Sequence, residues 1–208
     1  MSPAPTADLL RERLHPMRPP LVPELAIHAA GSGSRVGELA GGRTPYWAYA
    51  WPGGCLLARW LLDSPGLAAG RRALDLGAGC GIVAIAAARC GARAAAIDHD
   101  PLSAEATRLN ARANGVTVAC VTGDALAGGV PEADLLLAGD LFYDGRLARR
   151  ATAFFDRAHA AGRAVLVGDI GRAYLPRDRL RHLASYDLAD FGSGGMRRGG
   201  VFAWAATG

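Results

Sequence analysis

A strand, a glycine-rich turn and a buried helix follow one another within residues 71–90, and this stretch limits the fold more than any other. Residues 73–76 have the character of a short buried strand, and the apolar run at 82–88 is typical of a helix packed against a sheet. Glycines without a Cβ let the backbone N–H groups of the turn and the helix N-terminus approach a ligand closely. The stretch therefore predicts a strand, turn and helix unit that binds a ligand.

The spacing of the glycines separates this turn from the dinucleotide-binding one. The dinucleotide fingerprint is Gly-x-Gly-x-x-Gly, whereas Gly77, Gly79 and Gly81 are spaced Gly-x-Gly-x-Gly and follow Asp75. A glycine-rich turn alone is a weak signal, because many tight turns bind nothing. Asp98 ends the next apolar strand about 20 residues further on, where folds of this type place the acid that binds ribose hydroxyls. The two signals together are stronger than either alone.

The ionisable residues exclude several kinds of chemistry. All 23 basic residues are arginine, so neither a Walker-type phosphate loop nor a Schiff base, which need lysine, is available. The formal net charge of +4 is small and the arginines are scattered, so no nucleic-acid partner is predicted. The cysteines form no Cys-x-x-Cys pair and stand among apolar residues, which indicates reduced core thiols and no metal site.

Length and hydropathy indicate one soluble domain. The chain has 208 residues, half of them hydrophobic, which is enough for one sizeable core. No apolar run reaches transmembrane length and the N-terminus lacks a signal-peptide pattern, so we expect no membrane association, a cytoplasmic location and a monomer. Within the domain we distinguish an N-terminal extension with an aromatic lid (1–60) from a Rossmann-like core (61–208).

Strands and helices alternate up to about residue 182, which predicts a parallel α/β sheet. Beyond the first unit, strands are predicted at 94–98, 116–121, 133–138 and 164–167, and helices at 102–114, 146–161 and 175–182. The segments 185–191 and 201–205 flank a glycine-rich stretch, as in an antiparallel hairpin. The fold class is therefore α/β, a Rossmann-like, doubly wound and mostly parallel seven-stranded sheet with a C-terminal antiparallel hairpin.

The residues before this core are predicted to be less regular. A short amphipathic turn at 9–14 ends before several prolines, and we interpret it as a frayed cap. The segments 21–28 and 35–39 alternate loosely, as a small hairpin would. Residues 45–54 hold four aromatic side chains, which either pack on the core or form a lid over ligand and substrate, and we favour the lid. Pro52 then leads into a buried helix at 55–62.

Three stretches together resemble the seven-β-strand protein lysine methyltransferases, which use S-adenosylmethionine (SAM). They are residues 45–54, the glycine turn with its neighbours, and the sequence Asp-Leu-Phe-Tyr at 140–143. The resemblance is greatest to the enzymes that methylate the electron transfer flavoprotein β subunit, and residues 168–176 also look like that group's segment after the fifth strand. It implies a class I methyltransferase fold, a SAM cofactor and a protein substrate that carries the target lysine.

The resemblance also implies roles for individual residues. The cofactor would be held by Trp51, Asp75, Gly77, Ala78, Gly79, Asp98, His99, Asp124, Ala125 and Asp140. Of these, Asp75 and the turn would meet the methionine end, Asp98 the ribose, and Asp124 with Ala125 the adenine. Asp140 and Tyr143 would be catalytic, facing the sulfonium and the incoming nitrogen. The substrate would meet Trp47, Tyr143, Asp144 and Asp169.

Several alternatives stay open at this point. A small-molecule N-methyltransferase of the nicotinamide type would have a closed aromatic pocket, whereas a protein substrate needs an open groove. A ribosomal-protein methyltransferase and a non-catalytic SAM- or NAD-binding module are further alternatives, although the module would not need residues 140–143. Asp140 could instead cap the helix that follows it. Asp140, Asp144 and Asp169 are expected to form an acidic rim that attracts a cationic target, an effect that salt would weaken.

Overall fold

The structure is a computed structural model that describes residues 7–189 and 195–205. The strands of this part of the chain are β1 (His15–Met17), β2 (Ile27–Ala29), β3 (Arg72–Leu76), β4 (Arg93–Asp98), β5 (Ala119–Thr122), β6 (Leu135–Gly139), β7 (Ala164–Asp169), β8 (Leu180–Ala189) and β9 (Met196–Trp204). Its α-helices are α1 (Ala7–Arg13), α2 (Val36–Leu39), α3 (Pro52–Asp63), α4 (Ile82–Arg89), α5 (Pro101–Ala113) and α6 (Gly145–Ala160).

Seven of these strands form one mixed sheet in the order β5-β4-β3-β6-β7-β9-β8. The first five strands in that order are parallel, whereas β9 runs antiparallel to both β7 and β8. The predicted fold class is thereby confirmed. The strand order reverses between β3 and β6, and ligands of open α/β sheets bind in the crevice outside the carboxyl ends of strands at such a point.

Helices cover both faces of the sheet, which explains why the central strand β6 is apolar without interruption. Leu135 and Leu137 of β6 pack with the core beneath α3 and α4. Leu136 and Ala138, which alternate with them in sequence, join a second cluster with the phenylalanines of α6. Since successive side chains of a strand point to opposite faces, a strand buried on both faces needs apolar residues at every position.

The N-terminal helix α1 is part of the packed domain, so the interpretation of a frayed cap is wrong. Leu10 and Leu14 are 0% and 1% exposed and lie in one cluster with Leu102 and Leu109 of α5. The amphipathic spacing of the leucines gives the short helix an apolar stripe, and packing on α5 stabilises it more than helix propensity could.

Two other predicted elements differ from the structure. The hairpin expected from 21–28 and 35–39 is wrong, because β1 pairs with β2 and Val36–Leu39 is a short helix. The helix expected at 175–182 is also wrong, since a turn of 3₁₀ helix at Arg177–Arg179 leads directly into β8. Pairing with β9 along the whole of β8 overrides the local helical pattern there. The end of the predicted strand 185–191 lies outside the described residues.

Two findings concern membrane association and thiols. Within the described ranges, no helix is both long and apolar enough to cross a membrane. All four cysteines are free thiols, as predicted, and Cys55, Cys80 and Cys90 are buried.

Candidate active site

A cavity of about 970 Å³ opens at the carboxyl ends of β3, β4 and β6, at the point where the strand order reverses. It brings together nearly all the predicted site residues, namely Trp47, Trp51, Asp75, Gly77, Ala78, Gly79, Asp98, His99, Asp124, Ala125, Asp140, Tyr143 and Asp144. Asp169 does not line it. Tyr46 and Tyr49, which belong to the predicted aromatic lid, also line it, and the lining residues that the sequence analysis missed include Arg43, Asp100, Ser103, Arg150 and Arg172.

The glycine turn between β3 and α4 forms the floor of the cavity. Gly77, Gly79 and Gly81 all have positive φ angles, of 67°, 54° and 80°. Space is also restricted, since a Cβ on Gly81 would stand 2.5 Å from the Cγ2 atom of Thr107 in α5. Glycine is therefore required there for both backbone conformation and packing.

Asp98 links the end of β4 to this turn. Its Oδ2 atom accepts the backbone N–H of Gly79 at 2.9 Å, and its Oδ1 atom accepts that of Asp100 at 3.0 Å. Ser103 donates its hydroxyl to the carbonyl of Gly79 at 2.6 Å, which holds the turn against α5. Each carboxylate oxygen has a second lone pair, so Asp98 can still accept hydrogen bonds from ligand hydroxyls.

Asp75 lies below the turn, 2% exposed, and has a role in folding. Its Oδ2 atom accepts the backbone N–H of Ala84 at 3.1 Å, in the first turn of α4, where Gly81 at the N-cap has no side chain to do so. Burial raises the pKa of Asp75 to about 7, and the neighbouring Asp98 carboxylate adds to the rise. The site therefore contains a carboxyl group that takes up or releases a proton near neutral pH.

Asp124 and Ala125 line the cavity beyond the end of β5. Asp124 accepts the backbone N–H of Leu126 at 3.0 Å through Oδ1 and contacts Arg150 of α6 at 2.5 Å through Oδ2. The hydrogen bond from Arg150 lowers the pKa of Asp124, so this carboxylate stays ionised. The ion pair connects the segment after β5 with α6.

The aromatic cluster, which consists of Tyr46, Tyr49, Trp51 and Tyr143, lies on the other side of the cavity. The ring of Trp51 lies 5.8 Å from that of Tyr46 and 5.6 Å from that of Tyr49, and its indole N–H donates to the carbonyl of Tyr46 at 2.8 Å. Tyr46 also lies 5.3 Å from Tyr143, which is 40% exposed. These distances are typical of favourable aromatic pairs. Tyr143 is the exposed member of the cluster, whereas the other three rings are half-buried.

Trp47, which was predicted to contact the substrate, is buried in the core. Its side chain contributes to the cavity lining but is 0% exposed, and it packs with Leu10, Leu14 and Leu102 between the N-terminal helix and α5. The sequence left open whether the aromatic side chains of 45–54 pack on the core or cover a ligand. Trp47 packs in the core, whereas Tyr46, Tyr49 and Trp51 line the cavity.

Asp140 directly follows β6 and has an unusual backbone conformation for a residue with a side chain, with φ of 56°. Its Oδ2 atom accepts the backbone N–H groups of Gly53 and Gly54, in the first turn of α3. Asp140 therefore caps α3, and the expectation that it caps the following helix is wrong. That helix, α6, is capped by Asp144, which accepts the N–H groups of Arg146 and Leu147 at 3.0 and 2.9 Å.

Arg172 is the most consequential residue that the sequence analysis missed. Its guanidinium lies against Asp140, with Nη2 and Nε at 2.5 and 3.0 Å from Oδ1. Burial raises the pKa of Asp140, and the charge of Arg172 opposes that rise. The only sequence signal was its place within residues 168–176, a stretch noted for its resemblance to a family segment.

Asp169 holds the loop that carries Arg172 and does not meet a substrate, contrary to the prediction. Its side chain is 0% exposed, and Oδ1 accepts the backbone N–H groups of Gly171 and Arg172, both at 2.7 Å. The expected acidic rim is wrong for the same reason. Of its three members Asp169 is buried, Asp140 is buried and paired with Arg172, and only Asp144 is exposed.

The comparisons with known proteins agree with this geometry. The sequence profile of the ribosomal protein L11 methyltransferase (PrmA) family matches residues 55–141. Among solved structures, the T. thermophilus 16S rRNA methyltransferase RsmC, in complex with AdoMet and guanosine, superimposes with a TM-score of 0.58 at 19% identity, over 93% of this chain and 50% of that one. The chain has the fold of the class I, seven-β-strand methyltransferases, and the resemblance found in the sequence is confirmed.

Within that class the chain is similar to particular enzymes. The electron transfer flavoprotein beta subunit lysine methyltransferase of Danio rerio is 43% identical over 153 residues, which are 70% of this chain and 59% of the relative. The Xenopus laevis enzyme of the same name is also 43% identical over 153 residues, 70% of this chain and 62% of the relative. The chain thus spans about three fifths of the length of these relatives.

Proposed function

We propose that this protein is a SAM-dependent N-methyltransferase that methylates lysine side chains of a protein substrate, with the electron transfer flavoprotein β subunit as first candidate. One observation carries the proposal. Tyr143, which is 40% exposed, and the buried Asp140 line the same cavity as the glycine turn. The likeness to lysine methyltransferases over 153 residues supports it.

The residues of the cavity fit SAM. Its volume of about 970 Å³ is at the upper end of the ~300–1,000 Å³ that ligand pockets occupy. SAM is a cation at its sulfonium, and the carboxylate of Asp98, with that of Asp75 when it is ionised, supplies the opposite charge without a competing lysine. Asp98 would accept the ribose hydroxyls, the turn would meet the methionine end, and Asp124 with Ala125 would meet the adenine. When bound, SAM supplies a methyl group on a sulfonium, which a nucleophile attacks in line.

The chain itself contributes alignment and exclusion of water. Holding two reacting groups in line can contribute up to about 7–11 kcal/mol. The rings of Tyr46 and Tyr143 lie 5.3 Å apart and line the same cavity as Asp140, so an amine that enters the cavity would lose much of its hydration. Desolvation lowers the pKa of an ammonium group and favours the neutral amine that attacks. Asp140, as an acceptor, would orient the amine.

Tyr143 acts in this scheme as a neutral group. Burial raises the pKa of Tyr143 to about 12, and the neighbouring Tyr46 adds to the rise. Its phenol therefore stays protonated at the pH values at which enzymes work, and it can donate a hydrogen bond or pack but not remove a proton.

The shape of the mouth favours a protein substrate over a small molecule. Tyr143 is 40% exposed, and the side chains of Arg43 and His99, which also line the cavity, are 59% and 69% exposed. A nicotinamide-type enzyme would need this opening to be closed. The ribosomal-protein alternative has the profile match in its favour, but that match covers residues 55–141 and includes neither Arg43 nor Tyr143.

Mass spectrometry tests the proposal directly. The purified chain is incubated with methyl-labelled SAM and, in separate reactions, with the electron transfer flavoprotein β subunit, ribosomal protein L11 and nicotinamide. We expect methylated lysine in the first reaction alone, and no methyl-lysine on the enzyme, which has no lysine. If only nicotinamide or only L11 is methylated, the corresponding alternative function replaces the proposed one.

Asp140→Asn should lower turnover strongly, with cofactor affinity measured in parallel because Asp140 also caps α3.

A further inference from the structure

Asp140, Arg172 and Asp169 form a buried cluster with two carboxylates and one guanidinium. The side chains of the two aspartates are 10% and 0% exposed, and that of Arg172 is 24% exposed. With both acids ionised, the cluster lacks one positive charge. Uncompensated buried charge is unfavourable, so the cluster should favour the entry of a second cation.

One carboxylate oxygen of the cluster, Asp169 Oδ2, lacks a hydrogen-bond partner among the described residues. Asp169 Oδ2 is fully buried, and no hydrogen-bond donor among the described residues reaches it. Arg172 Nε is 4.0 Å away, at the distance limit of an ion pair and beyond a hydrogen bond, whereas the same atom lies 3.0 Å from Asp140 Oδ1. The guanidinium is therefore bonded to one acid and lies about 1 Å short of a hydrogen bond to the other.

Both acids are held by backbone N–H groups, and these contacts do not involve the guanidinium. Asp169 Oδ1 accepts the backbone N–H of Arg172 at 2.7 Å, so the loop backbone is anchored and only side-chain torsions need change. Asp140 keeps its Oδ2 contacts with the first turn of α3 whether or not Arg172 stays on Oδ1. Loss of Arg172 from Asp140, a residue that lines the cavity, would leave Oδ1 as an acceptor without that partner.

We propose that Arg172 is a positioning residue for the acceptor amine, whose guanidinium exchanges from Asp140 to Asp169 and so opens Asp140 Oδ1 to the incoming cationic side chain. The inference rests on the proposed function, since it assigns how the lysine reaches Asp140. The entering ammonium repels the guanidinium and replaces its charge at Asp140. Arg172 in turn supplies the hydrogen bond that Asp169 Oδ2 lacks, so both carboxylates are paired in the substrate complex.

A crystal structure of the Asp140→Asn variant of this chain tests the exchange without any assay of activity. The side-chain oxygen of the introduced asparagine should face the N–H groups of Gly53 and Gly54, which turns its NH₂ group toward Arg172. Two donors repel each other, so we expect the guanidinium within hydrogen-bond distance of Asp169 Oδ2. A guanidinium that remains at residue 140, or that turns to solvent, would overturn the exchange.

Kinetics with the protein substrate test its role in catalysis. Asp169→Asn removes the second position of the guanidinium, so KM should rise by about tenfold or more while kcat changes less. Adding Arg172→Gln to that variant frees Asp140 again, so the double variant should recover much of the loss. A double variant as poor as Asp169→Asn, or poorer, would mean that Arg172 is only structural.

Arg59→Gln is the matched control, because Arg59 also contacts two carboxylates, those of Glu24 and Asp63, and its side chain is 17% exposed but outside the cavity. It should leave KM unchanged. A wild-type chain that methylates no protein lysine would refute the proposed function, and the structure of Asp140→Asn would still decide whether Arg172 exchanges.

Discussion

Gly53 and Gly168 lie so close together that a Cβ on Gly53 would stand 2.2 Å from the carbonyl oxygen of Gly168. Gly53 is in the first turn of α3 and Gly168 is near the end of β7, so the contact lets the helix N-terminus reach the sheet edge where Asp140 caps it. Three members of the aromatic cluster, Tyr46, Tyr49 and Trp51, stand directly before α3 in the chain. The position of the aromatic cluster at the cavity therefore depends on two glycines, Gly53 and Gly168, at which no side chain would fit.

The first prediction follows from this contact. Gly53→Ala should lower the free energy of unfolding by about 1–3 kcal/mol or more, because the backbone must move to admit the methyl group. Urea denaturation measures the change. Gly37→Ala in α2 is the control, since a Cβ there meets nothing within 4 Å, and it should be neutral or stabilise by about 0.5–1 kcal/mol. Equal stability of the two variants would contradict the close approach.

The second prediction concerns the cofactor. Asp98→Ala removes an acceptor from the site and should weaken SAM binding by about 1.5–3 kcal/mol, the range for hydrogen bonds to charged groups. Isothermal titration calorimetry measures it, with the melting temperature recorded because Asp98 also holds Gly79. Glu105→Ala, which breaks an ion pair with Arg108 outside the cavity, should bind SAM normally. Tight binding of NAD would refute the cofactor assignment.

The third prediction concerns pH and stability. The pKa of Asp75 is about 7 in the folded chain, far above its usual value near 4, so between these pH values the native state holds a proton that the unfolded chain has lost. Stability should therefore fall as pH rises through this window. Denaturation at pH 5 and pH 8 should show a smaller difference for Asp75→Asn than for the wild type.

Asp134→Asn provides the control for this measurement. The hydrogen bond from Arg72 lowers the pKa of Asp134 to about 2, so Asp134 is ionised in both states at pH 5 and pH 8. Its replacement should leave the difference between the two pH values unchanged. If Asp75→Asn and the wild type show the same pH dependence, the pKa of Asp75 is not raised in the folded chain.

The fourth prediction separates the ring of Tyr143 from its hydroxyl. Because the phenol stays neutral, Tyr143→Phe should keep kcat/KM within about threefold and the same pH profile between pH 7 and 10. Tyr143→Ala loses the ring contact with Tyr46, and an aromatic pair worth about 0.5–1.5 kcal/mol predicts a decrease of up to about tenfold. Tyr174→Phe, at an exposed tyrosine outside the cavity, is the control. An inactive Phe variant would show that the hydroxyl takes part in the reaction.

The half of the molecule that carries the glycine turn could be predicted from the residues and their order along the chain. Gly77 and Gly79 indicate a turn that admits no side chain, and Asp98 stands at the end of the next strand. Since the carboxyl ends of parallel strands meet at one edge of a sheet, their mutual proximity follows from the strand pattern alone. The seven-stranded fold class followed from the same alternation of strands and helices.

The roles of the acids in the other half depend on packing between distant parts of the chain. Asp140 and Asp169 both come at or next to the end of a parallel strand, yet one lines the cavity and caps α3 while the other is fully buried beneath Arg172. The packing of α3 on the ends of β6 and β7 makes that difference, through contacts between residues far apart in the chain. Local periodicity carries no information about such contacts, because it reports the face of an element and not what the fold places against it.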